Sequence, residues 1–86
     1  MDTKPTDIQT WLHVSRRQKG LTGKEVLRQL EDRYNFRISK SAFYRYEDPN
    51  TSLKSIPLLL IVALCDIYDR DFEEPFKIVR KQISID

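Results

Sequence analysis

At 86 residues the chain fits a single domain with one modest core, and its composition, 40% hydrophobic with two glycines and four prolines, is that of a helical globular protein. One cysteine and one histidine exclude an internal disulfide and a zinc-ligand cluster, and the absence of a glycine-rich phosphate loop or nucleophile elbow leaves no basis for an enzyme, a metal or a cofactor. The net charge of +2 conceals a basic middle: residues 16–45 carry nine cations against three acids, while both flanks are net acidic.

In chain order, "TDIQTWLHVSRRQKG" predicts a first helix capped by Thr6, with Asp7 at its positive end and Gly20 as its stop. Ile8, Trp11, Leu12 and Ser15 fall at helical spacing and mark its buried stripe. "TGKE" at 22–25 predicts a capping box for a second helix, whose stripe is Val26, Leu27, Leu30 and Tyr34 and whose end is Asn35 in a left-handed conformation. Ser39 is a good cap for a short third helix, "KSAFYRYE". Winding this segment at about 100° per residue turns Phe43, Tyr46 and Glu47 to one side and Ser41, Tyr44, Arg45 and Asp48 to the other, with Lys40 on the flank.

Pro49 breaks the chain after Asp48. A fourth helix is expected from Ser55, as cap, to Tyr68, with Pro57 in its first turn. Its run "LLLIVALC" is apolar almost all round, which requires a central position or a covered spare face. Cys65 within it reads as a buried thiol. Phe72, Phe76, Val79 and Ile83 favour a fifth helix from Glu74 or Pro75, although Ile83 and Ile85 also alternate as in a strand. The expected fold class is therefore all-α, about five short helices in a compact bundle. The longest apolar run is far short of the roughly 20 residues that span a bilayer, and "MDTKPTD" does not have the layout of a secretory signal, so the expected location is the cytoplasm.

A basic middle between acidic ends suits a face that binds a polyanion, because each phosphate neutralised by Lys or Arg releases condensed counterions. It equally suits a solvated helix surface, and charge alone does not choose. The ordered pieces "RRQKGLTGKEVL", "ISKSAFYRYED" and "LLLIVALCDIY" resemble the helix-turn-helix domain of the lambda-repressor-like (Cro/repressor, XRE) family over about residues 8–70. The resemblance implies that the second and third helices form a DNA-docking unit, with the third entering the major groove of double-stranded DNA by its N-terminal end. It divides the chain into a helix-turn-helix domain, residues 1–70, and a C-terminal helix or tail, 71–86, as a dimerisation element of the same domain.

By position, the resemblance makes Ser39 the recognition-helix cap and places Lys40, Ser41, Tyr44 and Arg45 at base- and phosphate-reading positions. Arg37, Lys24 and Thr22 are further candidate DNA contacts, and Arg16 is expected to pair with Glu47. Each has a plainer reading too: Arg45 as a solvated arginine, Lys40 and Ser41 as ordinary first-turn residues, Tyr44 as a ring resting on Arg37 or Arg45. Leu58, Leu59, Ile61, Val62, Phe76, Val79 and Ile83 are the candidate dimerisation residues. The implied function is that of a small DNA-binding transcriptional regulator, a repressor acting as a homodimer; the alternative is a helical module that binds a protein partner such as an anti-repressor or polymerase adaptor.

Three departures from the family pattern stand out. Thr22 and Ser39 are 17 steps apart where about 11 is common, Gly23 stands where a phosphate-touching glutamine is common, and Leu27 replaces a usual alanine. Asp48 would also set a negative charge on the outward side.

Overall fold

The structure, a computed structural model, describes residues 5–51 and 55–83. Among these it is all-helical: α1 (Ile8–Lys19), α2 (Gly23–Tyr34), α3 (Lys40–Tyr46), α4 (Leu58–Tyr68) and α5 (Glu73–Gln82), with no strand. Ile85, one half of the strand-like alternation, lies outside the described residues; Ile83 follows directly on α5 with αR geometry. The Cα radius of gyration is 12.6 Å, close to the roughly 12 Å expected for a chain of this length folded as one body.

Local chemistry sets the helix ends. The cap of α1 is Asp7 and not Thr6: the Asp7 carboxylate accepts from the Thr10 backbone N–H at 2.9 Å and from the Thr10 hydroxyl at 2.8 Å, an arrangement a threonine cannot duplicate. Gly20 ends α1 at φ 77°, in the left-handed region, where a Cβ is costly. The capping box of α2 is complete, with Thr22 Oγ1 accepting from Glu25 N at 3.1 Å and Glu25 Oε1 accepting from Thr22 N at 2.9 Å. Asn35 closes α2 at φ 52°. Helix α4 starts at Leu58, two residues later than a Ser55 cap requires, because Ile56 precedes a proline and is driven out of helical geometry. Pro57, extended at ψ 134°, is the boundary and provides no side-chain cap.

Helix α4 is the centre of the bundle, packed on α1 and α2. Its Leu60, Ala63, Leu64, Cys65, Ile67 and Tyr68 are buried with Trp11 and Leu12 of α1, Val26 and Leu30 of α2, and Phe43 of α3. Burying one such large apolar side chain contributes about 1.5–3 kcal/mol. Ile61 belongs to this core at 7% exposure, which removes it from the candidate dimerisation residues. Leu27 and Tyr34 are only partly covered and rest against the core's edge.

Helix α5 packs back on α1. Pro75 is buried, Trp11 Nε1 donates to Glu74 Oε1 at 3.3 Å, and Gln82 Oε1 accepts from the Ile8 backbone N–H at 3.0 Å. That last bond satisfies one of the free N–H groups at the start of α1, so residues 73–82 are integrated with the helices before them. No helix among the described residues is long and apolar enough to cross a membrane.

Candidate nucleic-acid interface

Helix α3 is held by its inward side and presents the other. Phe43, 1% exposed, anchors it in the core, and Ser39 Oγ caps it by accepting from Ala42 N at 3.1 Å. At its C-terminal end the Glu47 carboxylate, buried, is gripped by Arg16: Nε donates to Oε2 at 2.8 Å and Nη2 to Oε1 at 3.0 Å. Two parallel bonds to a planar guanidinium fix both position and orientation. Arg16 Nη1 also donates to the Leu21 carbonyl at 3.0 Å, tying the turn before α2 into the same cluster. The bonds to Glu47 hold the guanidinium's pKa above its ordinary value. His13, which sequence reasoning leaves without a role, places Nδ1 3.1 Å from Glu47 Oε1 and 3.4 Å from Arg16 Nη2.

A second clamp is not legible in the sequence. Gln9 is buried, and its Nε2 lies within donating distance of three carbonyls: Arg45 at 3.2 Å, Asp48 at 2.6 Å and Thr51 at 3.1 Å. Carbonyls at a helix end need donors when water is excluded, and Gln9 provides one to the end of α3 and to the turn that follows. Both ends of this turn are therefore fixed from α1. Asp48 contributes as well: Oδ1 accepts from Asn50 N at 2.9 Å and Oδ2 from the Thr51 hydroxyl at 3.0 Å. Its carboxylate is engaged within its own turn and is not aimed out along α3.

Lys40, Ser41, Tyr44 and Arg45 are all exposed. Lys40 and Arg45 form no salt bridge among the described residues, and the same holds for Lys24 and Arg28 on α2. Arg33 differs, turning toward α4 to meet Asp66 at 3.2 Å while lying over the Tyr34 ring. Tyr34 also donates its hydroxyl to Asp66. Arg37, just before α3, meets Glu31 at 3.0 Å with both side chains largely in solvent, a pair worth less than about 1 kcal/mol and easily exchanged for another anion.

The cation–π contact of Tyr44 is with Arg16, and among the described residues none is formed with Arg37 or Arg45. The Tyr44 ring lies across the first turn of α2, so that a Cβ on Gly23 would overlap the hydroxyl and stand 2.7 Å from Cζ. It meets Phe43 edge to face at 5.4 Å and the Arg16 guanidinium at 5.9 Å, and remains 39% exposed. Gly23 is buried for this reason. The glycine at this position therefore has a packing cause: the aromatic ring fills the space a longer side chain would take.

The 17 steps from Thr22 to Ser39 divide into the twelve residues of α2 and the five of the connection 35–39. Phe36 N donates to the Leu30 carbonyl at 3.0 Å, and Phe36 and Ile38 rest against the core, so the longer connection is pinned along its length. A scan against protein-family models, a search of curated proteins and a search of solved structures each return no match to this chain.

Proposed function

We propose that the chain is a sequence-specific DNA-binding transcriptional regulator of the lambda-repressor-like helix-turn-helix type, with α2 and α3 as the docking unit and α3 as the recognition helix. The carrying observation is the division of α3 into a locked side, Phe43 and Glu47, and an open side with Lys40, Ser41 and Arg45, whose two cations have no carboxylate partner among the described residues. A rigidly held helix with free donors is what base readout in the major groove requires.

On this reading Arg45 contacts a base edge, Lys40 and Ser41 contact phosphate or base edges near the N-terminal end of α3, and Arg37, Lys24 and the α2 start with Thr22 line the backbone. Tyr44 over Gly23 takes the place of the missing glutamine and offers its hydroxyl to a phosphate. The protein acts as a small cytoplasmic repressor that occupies an operator as a dimer, its copies joined through the exposed Leu58, Leu59, Val62, Phe76 and Ile83 and the half-covered Val79. It uses neither cofactor nor catalysis.

Selection of bound duplexes from a random oligonucleotide pool tests this directly. The expected result is an enriched, two-fold symmetric consensus, with affinity falling in added salt at a log-log slope of about −0.9 per phosphate neutralised. No enrichment together with salt-insensitive binding to a protein partner would replace this function with the protein-interaction module.

A further inference from the structure

Of the seven large hydrophobic side chains exposed among the described residues, six lie on or beside α4 and α5: Leu58, Leu59, Val62, Phe72, Phe76 and Ile83. Leu58 on one side and Phe76, Val79 and Ile83 on the other line a shallow apolar groove between the start of α4 and α5. Along α5 the residues of this surface are Phe72, Phe76, Val79 and Ile83, spaced four, three and four apart. That spacing is the seam of a coiled-coil-like contact. It is also symmetric about its own midpoint, so an antiparallel second copy sets Phe72 opposite Ile83 and Phe76 opposite Val79 in both directions.

The charges beside the seam have the same symmetry with opposite sign. Glu73 and Arg80 are one heptad apart on one flank of the stripe, both are exposed, and neither forms a salt bridge among the described residues. Glu74, beside Glu73, is otherwise occupied, meeting Trp11 and Arg70; Lys77 and Lys81 are exposed as well and form no salt bridge among the described residues. In the antiparallel arrangement, Glu73 of each copy faces Arg80 of the other. A parallel arrangement would instead set this flank against the opposite flank of the other helix, where Pro75 and Gln82 stand, and would bring no Glu73 to an Arg80.

We propose that the α5 seam binds a second copy of this chain across a two-fold axis passing between Phe76 and Val79, with two reciprocal Glu73–Arg80 pairs fixing the antiparallel register. A two-fold interface uses the same patch on both partners, and this patch is self-complementary in both apolar spacing and charge. The proposal rests on the reading that copies pair through the α4–α5 surface, and it is independent of what α3 binds.

The full chain, its Glu73→Arg and Arg80→Glu variants and their equimolar mixture are compared by sedimentation equilibrium, with circular dichroism confirming that each variant is folded. The parent is expected to be a dimer and each variant to dissociate about tenfold more readily, since two ion pairs become two like-charge contacts. The mixture is expected to form the heterodimer at parental strength, because both contacts then join opposite charges, one in the parental sense and one with the charges exchanged. A dimer indifferent to both substitutions and to mixing would overturn the register while leaving pairing through this surface in place. A parent that is monomeric at the highest concentration would overturn both.

Discussion

Arg16 holds Glu47 by two hydrogen bonds, 2.8 and 3.0 Å long, between side chains that are 10% and 4% exposed, linking the end of α1 to the end of α3. Desolvating two charges is expensive, and removing one partner strands the other. Glu47→Ala and Arg16→Ala are each expected to cost about 3–5 kcal/mol in urea unfolding. The double variant should cost much less than their sum, because no uncompensated charge remains. Additive losses would mean that the two side chains act separately. His13, at the rim of the pair with 44% of its side chain exposed, should tolerate alanine with a change below about 1 kcal/mol.

Gly23 and Tyr44 form a second coupled pair, this one steric. In the parent, Gly23→Ala pushes a methyl group into the Tyr44 ring, an overpacking that costs about 1–3 kcal/mol unless the ring leaves. With Tyr44→Ala already present, the same substitution should stabilise by about 0.4–1 kcal/mol, because alanine restricts the unfolded chain more than glycine does. The opposite signs of the two effects, read from denaturant midpoints, are the test. Equal effects in both backgrounds would remove the ring from α2.

If α3 reads DNA as proposed, Arg45 and Lys40 are expected to separate specificity from general attraction. Arg45→Ala is expected to cost about 1–3 kcal/mol on the preferred duplex and to relax preference at one base pair per half-site. Lys40→Ala should weaken all duplexes alike and reduce the salt slope by about one. The Arg45 carbonyl, not its side chain, accepts from Gln9, so neither change should disturb the fold. Fluorescence anisotropy with matched and mismatched duplexes measures both. Unaltered binding in both variants would move the interface off α3.

How much of this is legible in the sequence follows from the range of each interaction. The α2 capping box, the left-handed Gly20 and Asn35, and the division of α3 into an inward and an outward side are local, and residue type with spacing is enough to find them. Ser15 on the α1 stripe is found in the same way, and it is buried. Sequence misplaces the α1 cap by one residue because Thr6 and Asp7 are both good caps, and only the reach of Asp7 to Thr10 decides between them. It assigns Ile61 to an outer surface because a helix apolar on every side carries no periodicity to say which residues face the core. Gln9, His13 and the Tyr44–Gly23 contact depend on partners 21 to 42 residues away, and no pattern within a single helix records them. The turn at Asp48 does carry a signal, an aspartate followed three residues later by a threonine, and it explains how an exposed acid at the end of α3 has both carboxylate oxygens bonded within its own turn.

Tyr68 and Cys65, one turn apart on α4, are buried groups whose ionisation works against the fold at alkaline pH. Burial pushes the Cys65 thiol up from 9.0 to about 11, with the nearby negative charges of Glu74 and Asp71 adding to the shift. Burial also raises the Tyr68 phenol well above its ordinary value of 10.0; Glu47 adds to that shift and Arg16 opposes it. Both groups have folded-state values above their unfolded ones, so above pH 9 the folded chain binds more protons than the unfolded chain, and stability falls as pH rises. The contribution is whole below pH 9, declines for Cys65 through about 11, and declines for Tyr68 from about 10 upward. The Tyr68 hydroxyl has no hydrogen-bond partner among the described residues, and such a buried group costs about 1–3 kcal/mol. Tyr68→Phe is therefore expected to raise stability by about 1 kcal/mol at pH 7 and to flatten the decline above pH 10, while Cys65→Ala lowers stability at pH 7 and removes the share of the decline that Cys65 adds from pH 9 to about 11, leaving that of Tyr68 above pH 10. Urea unfolding at pH 7, 9 and 10.5 separates the two. A Tyr68→Phe variant less stable than the parent at pH 7 would show that the hydroxyl is bonded within the fold.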